Sequence, residues 1–168
     1  MLVVLVLMTV MLFGALALAR MTEIGSMAAG NAAYREASLQ ASEVGLNTAF
    51  AAVRAVPVLN ENDAAGNWYY SQTHAADANG LPTVDWDAAP GVVMGAYTVR
   101  YVAERMCTVA TVTNPLRECL VKQVPVTKSA RDGVEELDPP NSRQYRVTIR
   151  VTGPKDTTTF VQALLTKG

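Results

Sequence analysis

The first nineteen residues, Met1 to Ala19, contain no charged side chain, and 17 of them are apolar, with Thr9 and Gly14 the exceptions. As a helix rising roughly 1.5 Å per residue this run would be about 28 Å long, close to the roughly 30 Å of a bilayer's hydrocarbon core. It can therefore cross a membrane, and Arg20 ends it with a charge that reaches the interface while its methylenes stay in the apolar layer. The 14 Lys and Arg and the 15 Asp and Glu of this 168-residue chain all lie beyond it, where about 45% of residues are hydrophobic, the ordinary value for a globular domain. A net charge of -1 gives no clustered excess of cations for nucleic-acid phosphates. The chain is also too apolar and too weakly charged for intrinsic disorder.

Two readings of the apolar run compete. A cleaved signal peptide has a basic start, an apolar core of about 7 to 15 residues and a small-x-small site. Ala17-Leu18-Ala19 supplies the last of these, but the basic start is missing and the core is too long. Helical character also continues past Arg20. Met21 to Val56 contains no proline and is rich in Ala, Leu, Met, Glu and Gln, until Pro57 forbids simple continuation. Leu39, Leu46, Phe50 and Val53 share one helical face and are the expected helix-to-sheet packing positions, with Glu36, Glu43, Asn47 and Arg54 largely elsewhere. The expectation is a membrane-spanning half-helix over 1–19 and an amphipathic half over 20–56. Gly14, Gly25, Gly30 and Gly45 are points where it could bend, each costing about 1 kcal/mol relative to Ala.

Turn residues crowd the next stretch, including Asn60-Glu-Asn-Asp63, Gly66, Asn79-Gly80 and Pro90-Gly91, so 57–91 reads as an irregular connector with one short strand at Trp68–Ser71. A sheet follows over 92–168. Tyr97, Val99 and Tyr101 alternate with Thr98 and Arg100, and Tyr145, Val147, Ile149 and Val151 alternate with Arg146, Thr148 and Arg150. Gly153–Asp156 reads as a turn into a strand over Thr157–Leu165, and Cys119–Val126 supplies another, making about four strands. One face of such a sheet needs cover, which the amphipathic half-helix provides at about 1.5 to 3 kcal/mol per large side chain buried. The fold class is α+β. Cys107 and Cys119 flank an Asn114-Pro115 turn signal and make an even pair, so a disulfide is expected, worth about 2 to 4 kcal/mol and placing the domain outside the cytoplasm. Two reduced thiols in a cytoplasmic domain are the alternative.

The chain holds no constellation of a nucleophile, base and acid, no phosphate loop and no CxxC motif, so catalysis, cofactor and metal are not expected. His74, the one histidine, reads as a solvated loop residue. Asn60–Asp63 and Asp85–Asp87 lack the pattern of a calcium loop and read as turns. Arg100, Arg146 and Arg150 read as the solvated face of the sheet, with a protein-contact role as the alternative. Arg20 and Glu23, three residues apart just past the apolar run, are a possible subunit contact if not simply solvated.

This architecture resembles a type IV pilin. Met27-Ala-Ala-Gly-Asn31 followed by Tyr34-Arg-Glu-Ala-Ser-Leu-Gln-Ala-Ser-Glu-Val-Gly-Leu46 resembles the "MAGN, R, A, QAAEAAL" pattern of PilX-type minor pilins. Tyr145-Arg-Val-Thr-Ile-Arg-Val-Thr-Gly153 with Phe160-Val-Gln-Ala-Leu-Leu165 is similar to that family's closing hairpin. The likeness covers residues 1–56 and 143–168. It implies a structural subunit, held in the bacterial inner membrane with its head in the periplasm before extraction into a surface pilus. Its implied partners are other minor pilins and the major pilin, in a tip complex that primes assembly and can present a large adhesin. The family's short basic leader ending in Gly does not precede Met1, and counting back from Asn31 leads to the expectation that a few residues are missing. Leu5 stands where major pilins carry a glutamate, and no acid occurs in 1–19, which suits a subunit at or near the tip. The alternative from another class is a bitopic periplasmic sensor or binding module on a non-polymerising anchor.

Overall fold

The computed structural model describes residues 1–122 and 142–167 and divides into two compact units, Met1–Leu39 and Gln40–Gly168. A single helix, α1 (Leu2–Ala55), contributes to both. No glycine interrupts it, and Pro57, in extended backbone at φ -64° and ψ 149°, follows its end.

In the first unit α1 contains a stretch long and apolar enough to cross a membrane, and its large apolar side chains from Leu2 to Met27 are exposed. Thr9, the only polar side chain of the apolar run, donates its hydroxyl to the Val6 carbonyl at 2.8 Å. No polar side chain of that run is thus left needing water.

The second unit is α+β, and its six strands among the described residues are β1 (Tyr69–Tyr70), β2 (Gly91–Met94), β3 (Tyr97–Arg105), β4 (Val121–Lys122), β5 (Ser142–Thr152) and β6 (Thr158–Lys167). A one-turn helix, α2 (Pro115–Glu118), precedes β4. The centre is an antiparallel β3-β5-β6 sheet, with Tyr101 opposite Ile149 and Ile149 opposite Val161. β2 pairs antiparallel and β1 parallel with β3, both on the edge away from β5, because Thr98 and Ala103 each have partners on two sides. β4 pairs with the start of β5.

Two expectations change here. The strand count rises above four because β2, for which no strand was expected, pairs with β3 through a tight turn at Gly95, whose φ of 60° suits the turns that hairpins favour. The Trp68–Ser71 strand shortens to two residues and makes the sheet mixed, being parallel to β3. The expected Cys119–Val126 strand covers Val121–Lys122, and 123–126 lie outside the described residues.

The core joins one sheet face to the Gln40–Ala55 part of α1. Val99, Ala103, Tyr145, Val147, Ile149 and Val151 are buried against Ala41, Ala49 and Val53, with Leu46 and Phe50 partly buried beside them. Leu39 departs from its expected role and is 40% exposed. The buried stripe instead runs through Ala41, Ser42, Gly45, Ala49 and Val53. At about 100° per residue this is rotated by roughly 80° from the stripe of large residues. Gly45 accounts for the difference, since a Cβ there would lie 2.4 Å from Val99 Cγ1 and 3.2 Å from Ile149 Cγ2. Small residues let backbone and sheet meet closely, and the larger Leu46 and Phe50 pack at the side.

Candidate functional site

The other face of the sheet carries Arg100, Val102 and Glu104 on β3 and Arg146, Thr148 and Arg150 on β5, with Arg100 opposite Arg150 and Glu104 opposite Arg146. These arginines do not form a solvated face, which corrects the sequence reading. The connector folds across them. Arg100 Nη1 donates to the carbonyls of Trp86 (3.1 Å), Ala89 (3.2 Å) and Asp87, and Arg150 Nη2 reaches Asp87 Oδ1 at 2.9 Å. Two like charges placed opposite each other would repel, and the Trp86–Ala89 segment supplies the oxygen atoms that offset this.

Glu104 is fully buried and holds the same connector farther along. Its Oε2 accepts from Arg146 Nε at 2.9 Å, and its Oε1 accepts the His74 backbone N–H at 2.7 Å. His74 Nδ1 lies 3.3 Å from Oε1, and its ring packs edge-on to Tyr70 at 4.2 Å. His74 is therefore an anchored residue, not the solvated one expected. A buried carboxylate costs free energy unless paired and hydrogen-bonded, and Glu104 is both.

A second buried carboxylate lies where the helix-facing side of the sheet meets the end of α1. Glu61, 2% exposed, has Arg143 Nε at 2.9 Å, Lys167 Nζ at 3.0 Å and Arg105 Nη2 at 3.9 Å. Lys167 also donates to the Val56 carbonyl just past the helix end, where a cation complements the helix dipole. Asn62 Oδ1 accepts from Arg105 Nη1 at 2.9 Å and from the Val112 N–H at 3.3 Å. The Tyr69 hydroxyl donates to the Glu61 carbonyl at 2.8 Å. Burial pushes the Tyr69 phenol up to about 12, and burial, with the negative charge of Glu61 adding to it, raises the Tyr145 phenol further, so both remain protonated. Glu61 thus ties together the connector, β3, β5 and the C-terminal strand. Sequence inspection missed it because Asn60–Asp63 has the composition of an ordinary turn.

Cys107 and Cys119 form the expected disulfide. Thr73 donates its N–H and its hydroxyl to the Cys107 carbonyl at 3.0 and 3.1 Å, fastening the connector beside the bond. Within the bridged loop the Glu118 carboxylate accepts from the Thr113 N–H, the Thr113 hydroxyl and the Asn114 N–H at 2.7, 3.0 and 2.8 Å. These bonds to backbone N–H groups hold its pKa below the usual carboxylate range. The loop presents Val109 and Leu116 to solvent, as does Leu120 just past it.

Arg20 and Glu23 are both exposed, and among the described residues neither forms an ion pair. Asp85 Oδ1 accepts the N–H groups of Asp87 and Ala88, the behaviour of a turn residue. Among the described residues no cluster of His, Cys, Asp and Glu has the makings of a metal site. The buried charged groups are used in holding the connector, the helix end and the strands together. Comparison with models of protein families, with curated proteins and with solved structures finds no match.

Proposed function

We propose that this chain is a minor pilin of a type IV pilus, a non-catalytic subunit that helps prime assembly and takes its place in the tip complex, where it can present a large adhesin. The observation that carries the reading is one helix with two kinds of surface. Its first 19 residues are charge-free and exposed, while its Gln40–Ala55 part belongs to the core of a disulfide-bonded α+β head. An apolar helix of this kind is stable in lipid and equally stable among similar helices in a filament core. Passage between the two exchanges one set of apolar neighbours for another. The resemblance of Met27–Leu46 and of Tyr145–Leu165 to PilX-type minor pilins adds support. In this reading the head lies in the periplasm before extraction and at the cell surface afterwards.

The reading is tested by deleting the gene, restoring it with an epitope-tagged copy, and shearing surface filaments from the cells. Loss of piliation on deletion, and a small amount of tagged protein in the filament fraction after restoration, are expected. Normal piliation without the gene, with all tagged protein remaining in membranes, would favour an anchored periplasmic sensor or binding module.

A further inference from the structure

Asn79 is the only asparagine of the chain that is followed by glycine. Asn79 and Gly80 are both exposed, at the tip of a small hairpin in the connector closed by a bridge between Ala76 and Pro82. Gly80 sits at φ 78°, and a Cβ built on it would meet nothing within 4 Å, so the backbone between the two residues is open to water. Asp77 organises this tip as turn residues do. Its Oδ1 accepts the N–H groups of Asn79 and Leu81, each at 2.8 Å, and its carbonyl accepts the Gly80 N–H at 3.0 Å. One further tie comes from the sheet, where Gln162 of β6 donates Nε2 to the Gly80 carbonyl at 3.1 Å.

We infer that Asn79 is a site of spontaneous deamidation, and that the Asp77–Leu81 turn with its tie to Gln162 sets the rate. The Gly80 nitrogen, having lost its proton to base, bonds to Asn79 Cγ. The Cγ–Nδ2 bond breaks, and Nδ2 takes up a proton and leaves as ammonia. Water then opens the cyclic imide at either carbonyl and gives aspartate or isoaspartate. Glycine favours the first step because no side chain on residue 80 crowds the approach of its nitrogen. In the closed turn that nitrogen's hydrogen is engaged by the Asp77 carbonyl, so reaction proceeds from the opened turn, whose population depends on a few surface hydrogen bonds. Gln162 thus protects Asn79 from another strand. Both products place a negative charge close to the Asp77 carboxylate, and isoaspartate also lengthens the main chain by a methylene. Either change draws the Gly80 carbonyl away from Gln162, while the Glu104 bond to the His74 N–H and the Arg100 bonds still hold the rest of the connector. Deamidation therefore loosens the connector tip and leaves the head folded. The chemistry is independent of the pilin reading.

The test incubates the full-length protein in detergent at mildly alkaline pH and follows Asn79 by peptide mapping and mass spectrometry. A synthetic peptide, Ala76–Pro82, is the unfolded reference. Asn79 is expected to convert in both, several-fold more slowly in the protein. Gln162→Glu, of the same size but without a donor, and Gln162→Ala should each speed conversion several-fold with the circular dichroism spectrum unchanged. In the converted protein, amide exchange should quicken over 77–82 and stay slow along β3 and β5. Asn79 intact in the protein after the peptide has converted fully, equal rates in the two, or Gln162 variants that leave the rate unchanged would overturn the inference. Exchange that quickens throughout the converted head would overturn it equally.

Discussion

The two faces of the same sheet are sealed by different physics. Toward α1 the contacts are apolar and close, centred on Gly45 against Val99 and Ile149. Toward the connector the contacts are arginines and a buried glutamate, satisfied by carbonyls, a carboxylate and a backbone N–H. The helix side depends on volume and tolerates little added bulk, because packed interiors respond to single methyl groups. The connector side depends on partners for Arg100, Glu104, Arg146 and Arg150, and a loop without hydrophobic periodicity can cover a sheet in this way. A strand that alternates Val with Arg thus need not have a wet side.

The largest effect should come from the connector side. Glu104→Leu leaves Arg146 and the His74 N–H without their acceptor and should cost about 3 to 5 kcal/mol, the range for breaking a buried ion pair. Urea unfolding of the detergent-solubilised chain measures it, and a near-neutral result would show that this face is solvated after all. Next comes Gly45→Ala. Helix propensity alone would make it stabilising by about 1 kcal/mol, so a net loss of about 1 to 3 kcal/mol is the signature of overpacking. Adding Val99→Ala should recover part of that loss in a double-mutant cycle, and strict additivity would argue against the close approach.

The contrast sharpens further at its weak end. Asp87 is 80% exposed in its pair with Arg150, so Asp87→Asn should cost less than about 1 kcal/mol and shrink as salt is added. Alkaline titration probes the helix side without a substitution. Tyr69 and Tyr145 have folded pKa values above the unfolded one near 10. Their contribution to stability is therefore complete below pH 10 and is lost as pH rises through the folded values, about 12 for Tyr69. Absorbance of the tyrosinate near 295 nm should show these two of the six tyrosines ionising last, together with unfolding.

The parts of the fold that follow from periodicity were legible before the structure. The apolar run, the long helix, the paired strands around Tyr101 and Ile149 and the disulfide all follow from spacing or composition that local chemistry dictates. Three features were not legible, for distinct reasons. Leu39 and its neighbours drew the buried stripe toward the largest side chains, yet contact is closest where side chains are smallest, and the partner's shape decided that. His74, Glu104 and the arginines have the residue types of solvated surface, because only tertiary contact shows that a loop more than ten residues away in sequence supplies their partners. Glu61 was hidden in a turn-like run, and the cations that make it tolerable when buried come from three separate strands.

The proposal that Leu2–Ala19 is a filament-competent anchor for this head meets its sharpest test in N-terminal sequencing of the protein isolated both from membranes and from sheared filaments. One start, close to Leu2, with an N-methylated first residue in both fractions, is expected. A start at Arg20, or an uncut cytoplasmic extension with no protein in filaments, would contradict it.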